Sequence, residues 1–409
     1  MAGAGVAGLI VALRLAESGR AVRLVEASPV LGGQVSGLPV ASLELDSGAE
    51  AFATRGPDIP ALLDDLDIGT RVAHPAPLAA WIHGFDGRSR PLPASSLFGI
   101  PSRPFSRDVA SVVGWAGAAR AALEPLLPAS DARRAESIGD LVRQRMGTAV
   151  LERLVAPVVE GVHSQHPDGV PVTALGAVSD HMARGDTLAR AVGRARQDAP
   201  AGSLVATLEG GMHTLVSALV AAAESAGVDI VTDTAVSDVS ESSATLRATA
   251  TGTTSTERGR VIVAAPNLVE ETPTTVTHLV ILVVDAPELA TAPRGTGLLV
   301  ARGGPVRARA LTHATAKWPW LRAHADGLEV LRLSYSEPAD SQGALSDARA
   351  LLGSPLEARR LVDSRAVSWM RAGRGVPHLS IPMVGEQVAG TGLAAVISHA
   401  ERTAKELIA

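Results

Sequence analysis

The chain reads as an α/β (α+β) protein: a sheet-and-helix domain assembled from separated segments, a second domain with a mixed sheet, and a helical insert. Three observations point there. The first 33 residues follow a glycine turn, an apolar helical run and a strand-like run ending in an acid. From Ser106 to about Gln197 the apolar residues recur at helical spacing. From Leu204 onward strand-like runs return, and they close on a second glycine turn, Gly390-Thr391-Gly392, that feeds an apolar helix.

Taken in order, Gly3-x-Gly5-x-x-Gly8 opens a helix that ends near Glu17-Ser18-Gly19, and Arg20-Ala-Val-Arg-Leu-Val25 follows as a strand. Residues 38–46 alternate and predict a short hairpin. Residues 57–66 read as a helix opened by Pro57-Asp58, and 81–93 as strand, Asp86-Gly87 turn, strand. Ser137 caps a helix, and Pro157 starts or kinks another over 150–162. A strand-like run from Leu204 leads through Gly210-Gly211 into an apolar helix over 213–226, stopped by Gly227. Strands are expected at 228–231, 234–236, 244–250, 279–284 and 328–335, with a buried one at 260–266. No internal repeat is visible.

Composition narrows the classes. Apolar residues make up 46% of 409, which excludes a disordered chain and allows two or three domains. Lys and Arg number 37 against 42 Asp and Glu, so the net charge of −5 gives no electrostatic case for nucleic acid. The chain has no cysteine, which excludes disulfides, thiolate metal sites and a cysteine nucleophile. No run reaches the roughly 18 uncharged apolar residues of a membrane-spanning helix. No leader peptide is expected, because the sequence opens on the glycine turn itself.

That turn carries the first chemistry. Gly3 permits a tight turn, Gly5 lets backbone N–H groups approach a pyrophosphate, and Gly8 lets the helix pack on the sheet. The helix N-terminus offers N–H groups and a positive dipole end to phosphate. Glu26 stands where a carboxylate reaches ribose hydroxyls. A glycine- and alanine-rich helix start would share the three glycines, but not Glu26 and Gly32-Gly33 together. Glu26-Ala-Ser-Pro-x-x-Gly-Gly resembles FAD enzymes more than NAD dehydrogenases.

Distant segments then extend the pattern: Asp46-x-Gly-Ala-Glu50-x-Phe, Ser137-x-Gly-Asp-Leu-Val-x-x-Arg-Met-Gly147, Leu208-Glu-Gly-Gly-Met212, Thr312-His-x-Thr-x-Lys317-Trp-Pro-Trp320, Arg332-Leu-Ser-Tyr335 and Gly390-Thr-Gly-Leu393. In this order, over nearly the whole chain, they resemble the FAD-dependent protoporphyrinogen/coproporphyrinogen oxidases of haem synthesis, within the amine-oxidase-like flavoproteins, and the actinobacterial branch in particular. The resemblance implies a discontinuous Rossmann-like FAD-binding domain (1–72, 204–266, 364–409) and a substrate domain (73–203 with the helical insert, and 267–363). It implies non-covalent FAD, a porphyrinogen substrate, molecular oxygen as acceptor with release of hydrogen peroxide, a cytoplasmic location and a transient haem-pathway partner.

By position, the resemblance implies FAD contacts at Gly3, Gly5, Ala7, Gly8, Glu26, Ala27, Gly33, Gln34, Gly48, Ala49, Glu50 and Ala51. Further contacts fall at Val236, Trp369, Thr391, Gly392, Leu393 and Ala394. Gln34 departs from the Arg or Lys usual in the family, and the stretch between Trp369 and Gly390 is short. No catalytic acid or base is assigned, because the cofactor carries the redox step. Lys317 and Trp318 are candidates to line a pocket, and Arg88, Arg90 and Arg103 are candidates for substrate carboxylates. His163 and His166 lack a carboxylate at ligand spacing, so no metal is expected. Rival readings are a carotenoid desaturase, an amine oxidase, or a non-catalytic flavin- or porphyrin-binding protein. Only Met1 and Ala2 precede Gly3 where a first strand is expected, so the codons upstream of Met1 are expected to encode about five apolar, β-branched residues.

Overall fold

A computed structural model describes the chain except Arg55 and residues 129–133, 164, 198–204, 269–273 and 374–379. Leu204, expected to begin a strand, lies outside the described residues, as does Arg55. The chain forms two compact units: Met1–His74, Val205–Val276 and Trp369–Ala409 make the first, and Pro75–Leu204 and Thr277–Ser368 the second.

The first unit is built on one buried helix. α1 (Val6–Glu17) is rich in Ala and Leu, and nine of its twelve residues are buried. Beyond Ser18, Gly19 (φ 84°) donates to Ala16 O and Arg20 to Leu15 O, which closes the helix end. β1 (Arg23–Val25) follows. α2 (Asp58–Asp65), α3 (His213–Ser225) and α4 (Leu393–Ile408) bury their apolar faces in the same core as Leu9, Ile10 and Leu13. Leaving each of these side chains in water would cost about 1.5–3 kcal/mol.

β1 pairs in parallel with β2 (Asp229–Val231), Val25 facing Val231. Ala2 bridges Val25 on one side and Val263 on the other, and Val263 bridges Met383, all in parallel. The parallel order is therefore 229–231, 23–25, Ala2, Val263, Met383, and it reverses direction at Ala2. The expected strand at 260–266 reduces to the single residue Val263, bridged once on each side. Its neighbour on one side contributes only Met1 and Ala2, while Pro266 and Pro382 lack N–H donors. The two-sided pairing still holds: Ala2 N donates to Ile262 O, and Ala264 N to Ala2 O. Beside Met1 an open cleft of about 510 Å³ is lined by Val22, Val25, Val236, Leu246 and Ile262.

The second unit carries a seven-stranded mixed sheet, ordered Leu361–Ala372, Thr274–Val284, Glu329–Tyr335, Ala310–His313, Gly297–Val300, Trp81–His83, Ser89–Pro91. Trp81–His83 and Gly297–Val300 run parallel. Asp340 accepts from Gly343 N to cap Ser341–Leu352, whose Leu345, Ala348 and Leu352 pack on the sheet. The helical region has a separate core around Leu141, Met146, Leu151 and Leu154. Ser137 accepts from Asp140 N, as its cap position requires. Leu151–Val155 is a widened helical turn, and Ala156–His163 continues from it with Pro157 in its first turn, where a missing N–H is tolerated. Glu124 and Arg145 form a buried ion pair at 2.6 Å that pins this region.

Candidate functional site

In open parallel sheets ligands bind beyond the strand ends where the strand order reverses. That point here is the exit of Ala2 into the glycine turn. At Gly3 (φ 100°) an added Cβ would lie 2.8 Å from Ala265 N, and at Gly8 it would lie 2.0 Å from Gly3 O. The fold itself therefore demands both glycines. Gly5 is different. Its φ is −69°, and an added Cβ would meet nothing within 4 Å. Bare backbone faces open space there, at the start of a helix with no side-chain cap. The first-turn N–H groups, Ala7's among them, have no acceptor within the helix.

Glu26 ends β1. Its Oε2 accepts from Ala4 N at 2.8 Å and its Oε1 from Ser28 N at 3.0 Å, so the carboxylate is fixed beside the turn. Ala27 is exposed. Thr234 N donates to Glu26 O at 2.9 Å, which brings Val236 to the same end of the unit, packed with Ala244, Val261 and Val263.

A second loop closes on the turn. Gly32 N donates to Ala4 O, and an added Cβ on Gly33 would lie 3.7 Å from Gly5 Cα. Ala49 N donates to Gln34 O at 2.8 Å. At Gly48 an added Cβ would come within 2.3 Å of Gln34 O and 3.1 Å of Trp369 Nε1. The Trp369 indole in turn donates to Ser47 O at 2.8 Å. Glu50 and Ala51 follow, half-buried. Thr391 precedes Gly392 (φ 103°), which opens α4, and Leu393 and Ala394 pack on the core of α1.

The structure thus brings Gly3, Gly5, Ala7, Gly8, Glu26, Gly33, Gln34, Gly48, Ala49 and Trp369 into one connected cradle. Two residues that the sequence reading passed over belong to it. Glu386 accepts from Gln34 Nε2 at 3.2 Å and from Arg371 Nε and Nη2 at 3.0 and 2.5 Å. The sequence signal for Arg371 was its spacing: two residues beyond Trp369 in a strand, it shares that residue's face.

The family pattern of flavin-containing amine oxidoreductases matches residues 6–277. The chain belongs to this family. The coproporphyrinogen III oxidase of Mycobacterium leprae is 29% identical over 378 residues, covering 86% of this chain and 80% of that one. The coproporphyrinogen III oxidase of Propionibacterium freudenreichii subsp. freudenreichii is 26% identical over 392 residues, covering 85% and 73%. The crystal structure of a protein provisionally described as a protoporphyrinogen oxidase, from Exiguobacterium sp. 255-15, superposes with a TM-score of 0.81 at 19% identity, covering 100% and 97%. The chain is an FAD-dependent oxidase with the fold of the FAD-binding amine oxidases. Backbone is bare at Gly5, while the glycines at 3, 8 and 48 are packed against backbone atoms.

The remaining candidates of this flavin enzyme lie in the second unit. Trp318 is buried, and Lys317 Nζ lies 4.8 Å from its ring centroid. His313 is fully buried and bonds Glu329 Oε2 through Nε2 at 2.8 Å, while Arg322 and Thr315 serve the same carboxylate. Burial works to raise the Glu329 pKa, but the bonds from His313, Arg322 and Thr315 outweigh it and hold the carboxyl below its usual range. Arg90 is bound to Asp86 by a two-point ion pair, and Arg88 and Arg103 are exposed. His166 faces Asp168 at 3.3 Å. The side chain of His163 lies outside the described residues. Among the described residues no cluster of His and acids could hold a metal, and no helix is long and apolar enough to cross a membrane.

Proposed function

We propose that this FAD-dependent oxidase takes hydrogens from a porphyrinogen, coproporphyrinogen III foremost, and passes the electrons to molecular oxygen with release of hydrogen peroxide. The single observation that carries the reading is likeness across the chain: two coproporphyrinogen III oxidases align with 85–86% of it, well beyond the glycine turn that all dinucleotide enzymes share. In this reading the segments 1–72, 204–266 and 364–409 bind FAD, and 73–203 and 267–363 bind the macrocycle.

When bound, FAD supplies a hydride acceptor. The chain's own residues hold it. The Gly5 backbone and the first-turn N–H groups of α1, with Ala7, receive the pyrophosphate. Glu26 would hold ribose hydroxyls, and Val236 would meet the adenine by its backbone. Gly33, Gln34 and Gly48–Ala51 would line the cofactor beyond the glycine turn. Trp369, tied to Ser47 O, would cover that lining, and residues 391–394, at the start of α4, would offer backbone N–H groups to the cofactor. A porphyrinogen gains aromatic conjugation as hydrogens leave, so orientation and exclusion of water carry more of the catalysis here than a strong base.

The test is the purified protein's spectrum and product balance. Flavin bands at about 375 and 450 nm, together with oxygen-dependent peroxide release on adding coproporphyrinogen III, are the expected outcome. A colourless protein, or a flavoprotein that releases peroxide with an amine such as putrescine and not with porphyrinogens, would reject the reading.

A further inference from the structure

Glu386 sits between two partners at the margin of the glycine turn. Its Oε1 accepts from Arg371 Nε and Nη2, and its Oε2 accepts from Gln34 Nε2. Gln34 also reaches Met370 O at 3.5 Å. It stands one residue beyond Gly33, which packs against Gly5. The ion pair is largely sheltered, with side-chain exposures of 20% for Arg371 and 15% for Glu386.

A pyrophosphate bound over Gly5 would add negative charge to a cradle that already holds two fixed carboxylates, Glu26 and Glu386. Like charges so placed disfavour binding unless a cation offsets them. Arginine suits this role: its planar fork of five donors can serve a carboxylate on one edge and a phosphate on another, and it stays charged at any working pH. We propose that Arg371, positioned by Glu386 and Gln34, is the cation that binds the FAD pyrophosphate. The proposal rests on the glycine turn being the FAD site. In it, Glu386 orients Arg371 and competes with the phosphate for it, so removing the carboxylate and removing the cation have opposite effects.

The test is titration of apo-protein with FAD, followed by quenching of flavin fluorescence at low and at high salt, with thermal melts of each apo-protein as the folding control. Arg371→Gln should weaken FAD binding about ten-fold or more at low salt and flatten its salt dependence. Glu386→Gln should bind FAD a few-fold tighter, and unchanged or weaker binding would count against the proposal. Gln34→Arg, which places a guanidinium beside Gly33, should restore most of the affinity lost in Arg371→Gln. Equal weakening by Arg371→Gln and Glu386→Gln would mark the pair as structural and overturn the proposal, as would wild-type affinity in Arg371→Gln. Should Arg371→Gln fail to fold, the sign of the Glu386→Gln effect decides alone. Wild-type protein that binds no FAD would overturn the cofactor site and the proposal together, whereas wild-type binding with unaffected variants overturns the proposal only.

Discussion

Gly5 separates what the fold needs from what the ligand needs. Its backbone is extended at φ −69°, and an added methyl meets no atom within 4 Å, so alanine fits the protein itself. Two small terms then oppose each other. Replacing glycine at a compatible φ reduces the unfolded chain's freedom and stabilises by about 0.4–1 kcal/mol. Placing alanine at a helix N-cap costs a comparable fraction of a kcal/mol. The net for Gly5→Ala is within about 0.5 kcal/mol, or about 1 °C or less in Tm for a protein of this size. In the proposed site the same methyl would stand where phosphate oxygens come, and a clash of about 1–3 kcal/mol would lower FAD affinity about five- to 150-fold. Gly8→Ala is the control with the opposite profile. Its Cβ would lie 2.0 Å from Gly3 O, so the apo-protein itself should lose several degrees. Thermal melts of apo-protein beside flavin-fluorescence titrations read both effects. A Gly5→Ala protein that melts like Gly8→Ala, or that binds FAD as wild type does, would refute the assignment of Gly5 to the ligand.

Other expectations follow from the same geometry. Glu124→Ala strands the buried Arg145 guanidinium and should destabilise the protein by about 3–5 kcal/mol in a urea melt. Glu329 is held below its usual carboxyl pKa, so the unfolded state binds the extra proton and the group's stabilisation, present above the ordinary carboxyl range, is lost as pH falls through the folded value. Glu329→Gln should therefore flatten the acid limb of stability against pH by up to one proton's worth, about 1.4 kcal/mol per pH unit; an unchanged slope would contradict the pairing. Trp369→Phe keeps an aromatic ring and loses the bond to Ser47 O, so it should cost about 1 kcal/mol and loosen flavin retention during gel filtration, with the melt and the bound-flavin ratio as readouts.

The parts legible in the sequence are those where a single residue type is forced by local geometry. Gly3 and Gly8 are needed by backbone packing, Ser137 by its cap, and α1 and α3 by unbroken helical apolar spacing. Long-range pairings were not legible. Glu386 meets Gln34 across 352 residues, and no local pattern marks Glu386 or its pairing. Glu124 and Glu329 stand in apolar runs, Ala-Leu-Glu-Pro-Leu and Gly-Leu-Glu-Val-Leu, but nothing local shows what meets them: each is buried because an arginine and further donors reach it in the fold. The expected strand at 260–266 carried the right apolar run, but pairing depends on its neighbours, and these supply one bridge on each side.

The central claim is that electrons pass from a porphyrinogen to the flavin held in this cradle. Anaerobic mixing of the flavin-loaded protein with coproporphyrinogen III, followed at the oxidised flavin band and at porphyrin emission together, tests it most directly. Flavin absorbance should fall as porphyrin fluorescence rises, in step and without oxygen. Flavin that stays oxidised in the presence of both coproporphyrinogen III and protoporphyrinogen IX would contradict the account.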